Sequence, residues 1–329
     1  MSSRLPLTPG RARGLQQCAL AEGVFAILAA DHRDAMRVLI DRERPQEVSA
    51  AHLTALKLAI VRHLAPEASA VLLDPPYGAG QAIAAGVLPG RVGLVVAWEE
   101  QGYLGDPYGR QTTLLAGWGA EKARRLGAAA VKLLLFYHPD AGPVADKQER
   151  LVAAVLAECR RYDLPLFLEP IAYPLQRDRP KDGPHFARER RRVVIESARR
   201  LSALGPDVLK VEFPLDVNHD PDPSLWAEAC AELDAATAVP WVLLSAGEPF
   251  ATFCRQLTVA CQAGCAGFAA GRSLWGEAAA LSTAAREAFL ATTARERLQR
   301  LVGIVREQAH PWHERYAVPM PDEHWYQTY

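Results

Sequence analysis

Lysine is scarce in this 329-residue chain. Only six of its 37 basic residues are lysines (57, 122, 132, 147, 181 and 210), which leaves 31 arginines. In a sequence that otherwise uses arginine, each lysine is worth locating, although six surface positions remain the simpler alternative. An excess of positive charge is also missing: 38 acidic residues bring the formal net charge to -1, which argues against a nucleic-acid partner. No run reaches the 18 uninterrupted apolar residues of a membrane span, and MSSRLPLTPGRARG at the N-terminus lacks the apolar core of a secretory signal. No membrane association and a cytoplasmic location are therefore expected. The six cysteines form no CxxC pair, and Cys254, Cys261 and Cys265 fall in what reads as one helix and its end, so buried thiols are expected rather than a metal site. Nine histidines include no HxH or HExxH pairing, which leaves zinc unsupported. GAGQAIAAG lacks the GxGxxG spacing of a dinucleotide loop. No metal and no cofactor are expected.

What the chain does have is a series of short Val, Leu, Ile and Ala runs with little alternation, the pattern of parallel strands buried on both faces. Eight are present: Phe25–Ala30, Ala70–Leu73, Gly93–Ala97, Ala130–Leu135, Pro165–Leu168, Asp207–Glu212, Trp241–Leu244 and Gly267–Ala270. Helical stretches such as AHLTALKLAIVRHL and KQERLVAAVLAECRRY separate them, and several end in glycine as a helix C-cap would. Eight such units in a chain of this length predict an α/β fold, a single-domain (β/α)8 TIM barrel spanning residues 1–329. An N-terminal extension of about 20 residues and an aromatic tail over about 310–329 complete it. Polar insertions at EEQGYLGDPYGRQTT, PLQRDRPKDGPHF and DVNHDPDPS are expected as loops on the active face, and the aromatic tail makes a homo-oligomer plausible.

Barrel chemistry sits at the C-terminal strand ends. DVLKVEF places Lys210 inside an apolar strand, on one face with Val208 and Glu212. Facing the interior, a desolvated lysine can supply the neutral amine that forms a Schiff base; an ion pair with Glu212 or Glu169 is the structural alternative. Lys132 in AVKLLLF repeats the pattern two strands away, either as a second interior ammonium or as a lysine snorkelling over a strand end. Glu169 ends PLFLE, where a carboxyl in a partly apolar pocket can act as general acid and base. Asp31 and Arg33, flanking His32 in AADHRDAM, can orient a polar substrate or close the barrel as an ion-pair cluster. Ser245 and Gly247 in LLSAGEPF, with Gly271 and Arg272 in AAGRSLW, stand where barrels often bind phosphate.

At these residues the sequence resembles the class I tagatose 1,6-bisphosphate aldolase family, a branch of the DeoC/LacD-like barrels. LAADHRDAM, SAVLLDPPYG, VVAWEEQGY, LGAAAVKLLLFYHPD, PLFLEPIAY, DVLKVEFPL, PWVLLSAG and GFAAGRSLW carry the resemblance, over about residues 24–280. It implies a Schiff-base Lys210, general acid/base catalysis by Glu169, support from Lys132 and Asp31, and phosphate contacts from Ser245, Gly247, Gly271 and Arg272. It also implies phosphorylated ketose and triose phosphates as partners, and no metal. His32, where the family usually has Gln, and Arg33 complete the expected substrate-binding set. Glu248 follows SAG where an apolar residue is common. Sulfofructose-phosphate aldolases, which act on 6-deoxy-6-sulfofructose 1-phosphate, share the lysine, glutamate and SxG/AGR elements. A sugar-phosphate-binding regulator without catalysis is the alternative of a different class.

Overall fold

The computed structural model describes residues 4–327 and residue 329. Residues 1–3 of the expected N-terminal extension and residue 328 of the tail lie outside the described residues. The strands are β1 (Leu5–Pro6), β2 (Phe25–Ala29), β3 (Ala70–Leu73), β4 (Gly93–Ala97), β5 (Ala130–Phe136), β6 (Leu166–Ile171), β7 (Val208–Val211), β8 (Trp241–Leu244), β9 (Gly267–Ala270) and β10 (Tyr316–Ala317). β2 to β9 form a closed, all-parallel barrel in sequence order, sealed by pairing of β2 with β9. Among the described residues no helix is long and apolar enough to cross a membrane.

The apolar runs coincide with these strands to within a few residues, because each strand is buried and a polar side chain is tolerated there only when it is paired, as Lys132, Glu169 and Lys210 are. β6 and β7 differ most from expectation. The run Pro165–Leu168 continues to Ile171, since Leu134–Phe136 of β5 pair with Glu169–Ile171 although Pro170 reads as a strand terminator. Asp207 and Glu212 drop out of β7; Asp207 instead accepts bonds from Arg11 and from the Leu166 N–H. At the seam, Gly267 has φ +140, and a Cβ there would lie 2.0 Å from the Phe25 carbonyl oxygen. Only glycine lets β9 approach β2 that closely.

The helix Pro9–Cys18 and the tail close the N-terminal end of the barrel. Leu15 and Cys18 are buried, Arg11 Nη2 lies 2.5 Å from Asp207, and Tyr316 donates to the Asp207 carbonyl at 2.8 Å. β1 pairs with β10 across the same end. Inside, Phe25 and Phe167, on strands four apart in the ring, meet edge to face at 5.5 Å. The six cysteines are free and buried. With one end closed and the middle filled, only the C-terminal end remains open.

Candidate active site

A cavity of about 620 Å³ opens at that end. Strand alternation builds its wall: Ala29 and Asp31 from β2 and its exit, Lys132 and Leu134 from β5, Glu169 and Ile171 from β6, and Lys210 and Glu212 from β7 and its exit. The three polar insertions also reach the rim, through Glu100 and Gln101, Lys181 and Asp182, and Asn218 and His219. In the first of them, bridges Glu99–Leu114 and Leu104–Gln111 form a hairpin, and the Arg110 guanidinium packs over the rings of Tyr103, Phe136 and Tyr173.

At the floor, Glu169 bridges the two strand lysines. Its Oε1 lies 2.7 Å from Lys210 Nζ and its Oε2 lies 2.8 Å from Lys132 Nζ. Lys132 also contacts Asp31 Oδ2 at 2.9 Å and Glu99 Oε1 at 2.7 Å. Burial works against the Lys132 charge, but Asp31, Glu169 and Glu99 outweigh it and hold its pKa well above the ordinary lysine value. Burial likewise opposes the Asp31 charge, and Lys132 and then Lys210 hold its carboxyl well below the usual carboxylate range. Two lysines thus face three acidic side chains, all almost completely buried at the cavity floor.

His32, beside Asp31, is neutral: burial, Arg272, Lys210 and Lys57 bring its pKa down to about 3 against the opposing pull of Asp31. Its ring stands edge-on to Trp275 at 5.4 Å, and its Nδ1 has no hydrogen-bond partner among the described residues. Arg33 is buried, donating to the Glu99 carbonyl at 2.7 Å and to Glu100 at 3.4 Å, so it ties the exit of β2 to that of β4.

Across the cavity, Ala246 and Gly247 both take the left-handed backbone conformation, with φ +51 and +88. Arg272 lies against the bare Gly247 Cα, where a Cβ would come within 3.1 Å of its Cζ. It donates to the Ala246 carbonyl at 2.9 Å while its buried Nε has no hydrogen-bond partner among the described residues. Ser245 Oγ accepts from the Gly271 N–H at 3.4 Å. A hydroxyl, a guanidinium and a glycine turn therefore share one wall, the chemistry that suits an anionic oxygen cluster.

All four residues expected as catalytic and all six expected as substrate-binding line this one cavity. Glu99, on Lys132 at 2.7 Å, is a residue of this cluster that the sequence does not single out. Its signal was alternation, which sends it inward two residues past Ala97. The buried pair Lys57–Asp74 is not singled out either, because Lys57 lies in an amphipathic helix where a lysine is unremarkable in pattern. Lys181 and Arg190, both on Glu212 at the rim, carried no signal beyond membership of a polar loop and of the helix after it.

An eight-stranded parallel barrel with strand-borne lysines and acidic side chains at its open end is a (β/α)8 barrel whose polar cluster lies where barrel enzymes carry their chemistry. Residues 25–277 match the model of the DeoC/LacD family aldolases, and the chain belongs to that family. It is 31% identical over 327 residues to the tagatose 1,6-diphosphate aldolase of Streptococcus agalactiae serotype V, covering 94% of this chain and 99% of that one. The enzyme of the same name from Staphylococcus aureus is 30% identical over 321 residues, covering 92% and 97%. Among solved structures, an archaeal fructose 1,6-bisphosphate aldolase aligns with TM-score 0.56 at 20% identity, over 89% of this chain and 97% of that one. Fructose-bisphosphate aldolase from Plasmodium falciparum aligns with TM-score 0.71 at 16% identity, over 94% and 99%. These two share the fold.

Proposed function

We propose that the protein is a class I aldolase that cleaves a ketose 1,6-bisphosphate, tagatose 1,6-bisphosphate foremost, into dihydroxyacetone phosphate and glyceraldehyde 3-phosphate. The observation that carries this reading is the 2.7 Å contact between Lys210 Nζ and Glu169 at the floor of the cavity. A proton passed along it to Glu169 leaves Lys210 as the amine that nucleophilic attack requires. The amine attacks the C2 carbonyl to give a carbinolamine, and Glu169 returns the proton as water leaves, forming the iminium. Glu169 then takes the proton of the C4 hydroxyl. The C3–C4 bond breaks, its electrons move to the iminium nitrogen as an enamine, and the aldehyde departs. Protonation at C3 and hydrolysis release the triose phosphate and restore Lys210.

Lys132 remains charged throughout and holds Glu169 and Asp31 in place. The 1-phosphate goes to the wall of Ser245, Gly247, Gly271 and Arg272, with His32 and Arg33 facing the remainder of the sugar. The names of the relatives in Streptococcus agalactiae and Staphylococcus aureus support the choice of substrate. A homo-oligomer belongs to the same reading, supported by the exposure of Met320 and Tyr326 on the tail and testable by sedimentation.

The test is to treat the protein with dihydroxyacetone phosphate and borohydride, with and without EDTA, and to map adducts by peptide mass spectrometry. An EDTA-insensitive adduct on Lys210 is expected, together with cleavage of tagatose 1,6-bisphosphate. A folded protein that forms no adduct, or forms one on another lysine, overturns the assignment. Binding of the bisphosphate without turnover would favour a regulator instead.

A further inference from the structure

The helix Ala50–Leu64 packs through Leu53, Leu56, Ile60 and Leu64, and Lys57 lies on that same buried face with none of its surface exposed. Its ammonium has three N–H groups and three acceptors: Asp74 Oδ1 at 2.5 Å, the Ala30 carbonyl at 2.6 Å and the His32 carbonyl at 2.7 Å. Asp74 is equally buried, and its second oxygen accepts from the Tyr77 N–H at 3.0 Å. A buried pair of this kind is often matched or bettered in stability by apolar side chains of similar volume. What the pair provides here is direction.

Ala30 and His32 flank Asp31. The β2–β3 ladder ends where the Ala30 N–H meets the Leu72 carbonyl, and the carbonyls of Ala30 and His32 continue along the same edge. β3 stops at Leu73, and the residues after Asp74 are Pro75 and Pro76, which have no N–H to offer. Lys57 supplies the donors that a longer β3 would have supplied. The backbone on both sides of Asp31 is thereby held from outside the barrel, while the Asp31 carboxylate meets Lys132 inside it at 2.9 Å.

We propose that Lys57, balanced by Asp74, is a positioning residue for the reaction: it sets the backbone around Asp31, hence the Asp31–Lys132 contact, hence the share of Lys132 that Glu169 must satisfy. Without it, residues 30–32 lose their outer anchor and Lys132 draws more strongly on Glu169, which then serves Lys210 less well as a base. Among the described residues, the hydrogen bonds of Lys57 and Asp74 go to one another, to Ala30, His32 and Tyr77, and not to Ser245, Gly247 or Arg272. The proposal rests on the lyase reading above.

The test is a double-mutant cycle between the charge-free pair Lys57→Met/Asp74→Asn and Asp31→Asn, with the fold of each variant checked by circular dichroism. In the otherwise native protein the pair change is expected to lower kcat about tenfold or more, while the Kd for inorganic phosphate stays within about twofold. In the Asp31→Asn background the same change is expected to cost less than about twofold, because the contact it serves is already gone. Equal losses in both backgrounds, an unchanged kcat, or a loss confined to phosphate binding overturn the proposal. If Lys57→Met/Asp74→Asn does not fold, the apolar pair Lys57→Met/Asp74→Leu, which leaves no buried charge and still removes both carbonyl contacts, enters the same cycle with the same criteria. Failure of the lyase reading is seen separately, as a wild-type protein that cleaves no ketose 1,6-bisphosphate.

Discussion

Replacing His32 with glutamine tests whether the folded structure holds this side chain neutral. In the unfolded chain a histidine protonates near pH 6.5, whereas in the cavity wall burial and the cations Arg272, Lys210 and Lys57 bring the value to about 3. Between those two values the unfolded state binds a proton that the folded state does not, so the histidine lowers stability as pH falls. The loss is absent above pH 6.5, grows at about 1.4 kcal/mol per pH unit below it and levels off below pH 3. Between pH 7.5 and 4.5 it amounts to about 2.7 kcal/mol. That figure is a ceiling, because 22% of the side chain is exposed and cavity water softens the shift. Glutamine does not titrate, so His32→Gln should escape this part of the acid destabilisation. Urea unfolding of both proteins at pH 7.5, 6.0, 5.0 and 4.5 measures it, with the difference at pH 7.5 subtracted as the baseline. The variant should gain on the wild type by about 1 to 2.7 kcal/mol at pH 4.5, on the order set by the linkage relation. A difference that stays constant within about 0.5 kcal/mol across the series would refute the reasoning, since additive offsets of that size carry no linkage.

Three further outcomes are expected. Lys132→Met leaves Asp31, Glu99 and part of Glu169 without their cation; each contact of 2.7 to 2.9 Å is worth about 6 kcal/mol gross at an effective dielectric of 20, and the net loss at pH 7 should be about 3–5 kcal/mol by urea unfolding. Because Asp31 has a depressed folded pKa, its contribution is present above the ordinary carboxylate range and lost as pH falls through the folded value, so this deficit should shrink in acid. Glu169→Gln should keep the fold and lower kcat by about 10²- to 10⁴-fold in a coupled triose-phosphate assay, the range of a lost general acid/base. Arg272→Ala should act on binding, reducing kcat/KM for the bisphosphate by about 10- to 100-fold, as loss of charged hydrogen bonds to phosphate requires, while borohydride trapping of a ketone without phosphate stays unchanged.

The strand order and the inward placement of Lys132, Lys210 and Glu169 were legible in the sequence, because apolar runs and period-two alternation are local properties of the chain. Ser245, Gly247, Gly271 and Arg272 could be read from their places after the last two strands. Lys57 could not. It occupies a core position of an amphipathic helix, and nothing near it in sequence shows that Asp74 and two free carbonyls wait on the facing strands. Glu99 sits between the two cases: alternation points it inward, yet its worth depends on Lys132, 33 residues away.

By itself the sequence determined which segments are strands, which side chains share a face, and that lysines and carboxylates end on the faces turned inward. Only the tertiary structure decided who meets whom. Asp31 and Lys132 are 101 residues apart and come within 2.9 Å because the barrel closes with one particular stagger. That stagger makes Lys132 the centre of three carboxylates and, among the described residues, pairs Lys210 with Glu169. The physical reason is that strand propensity and alternation act over a few residues, whereas a charge responds to everything within a few ångströms of it, whatever the distance along the chain.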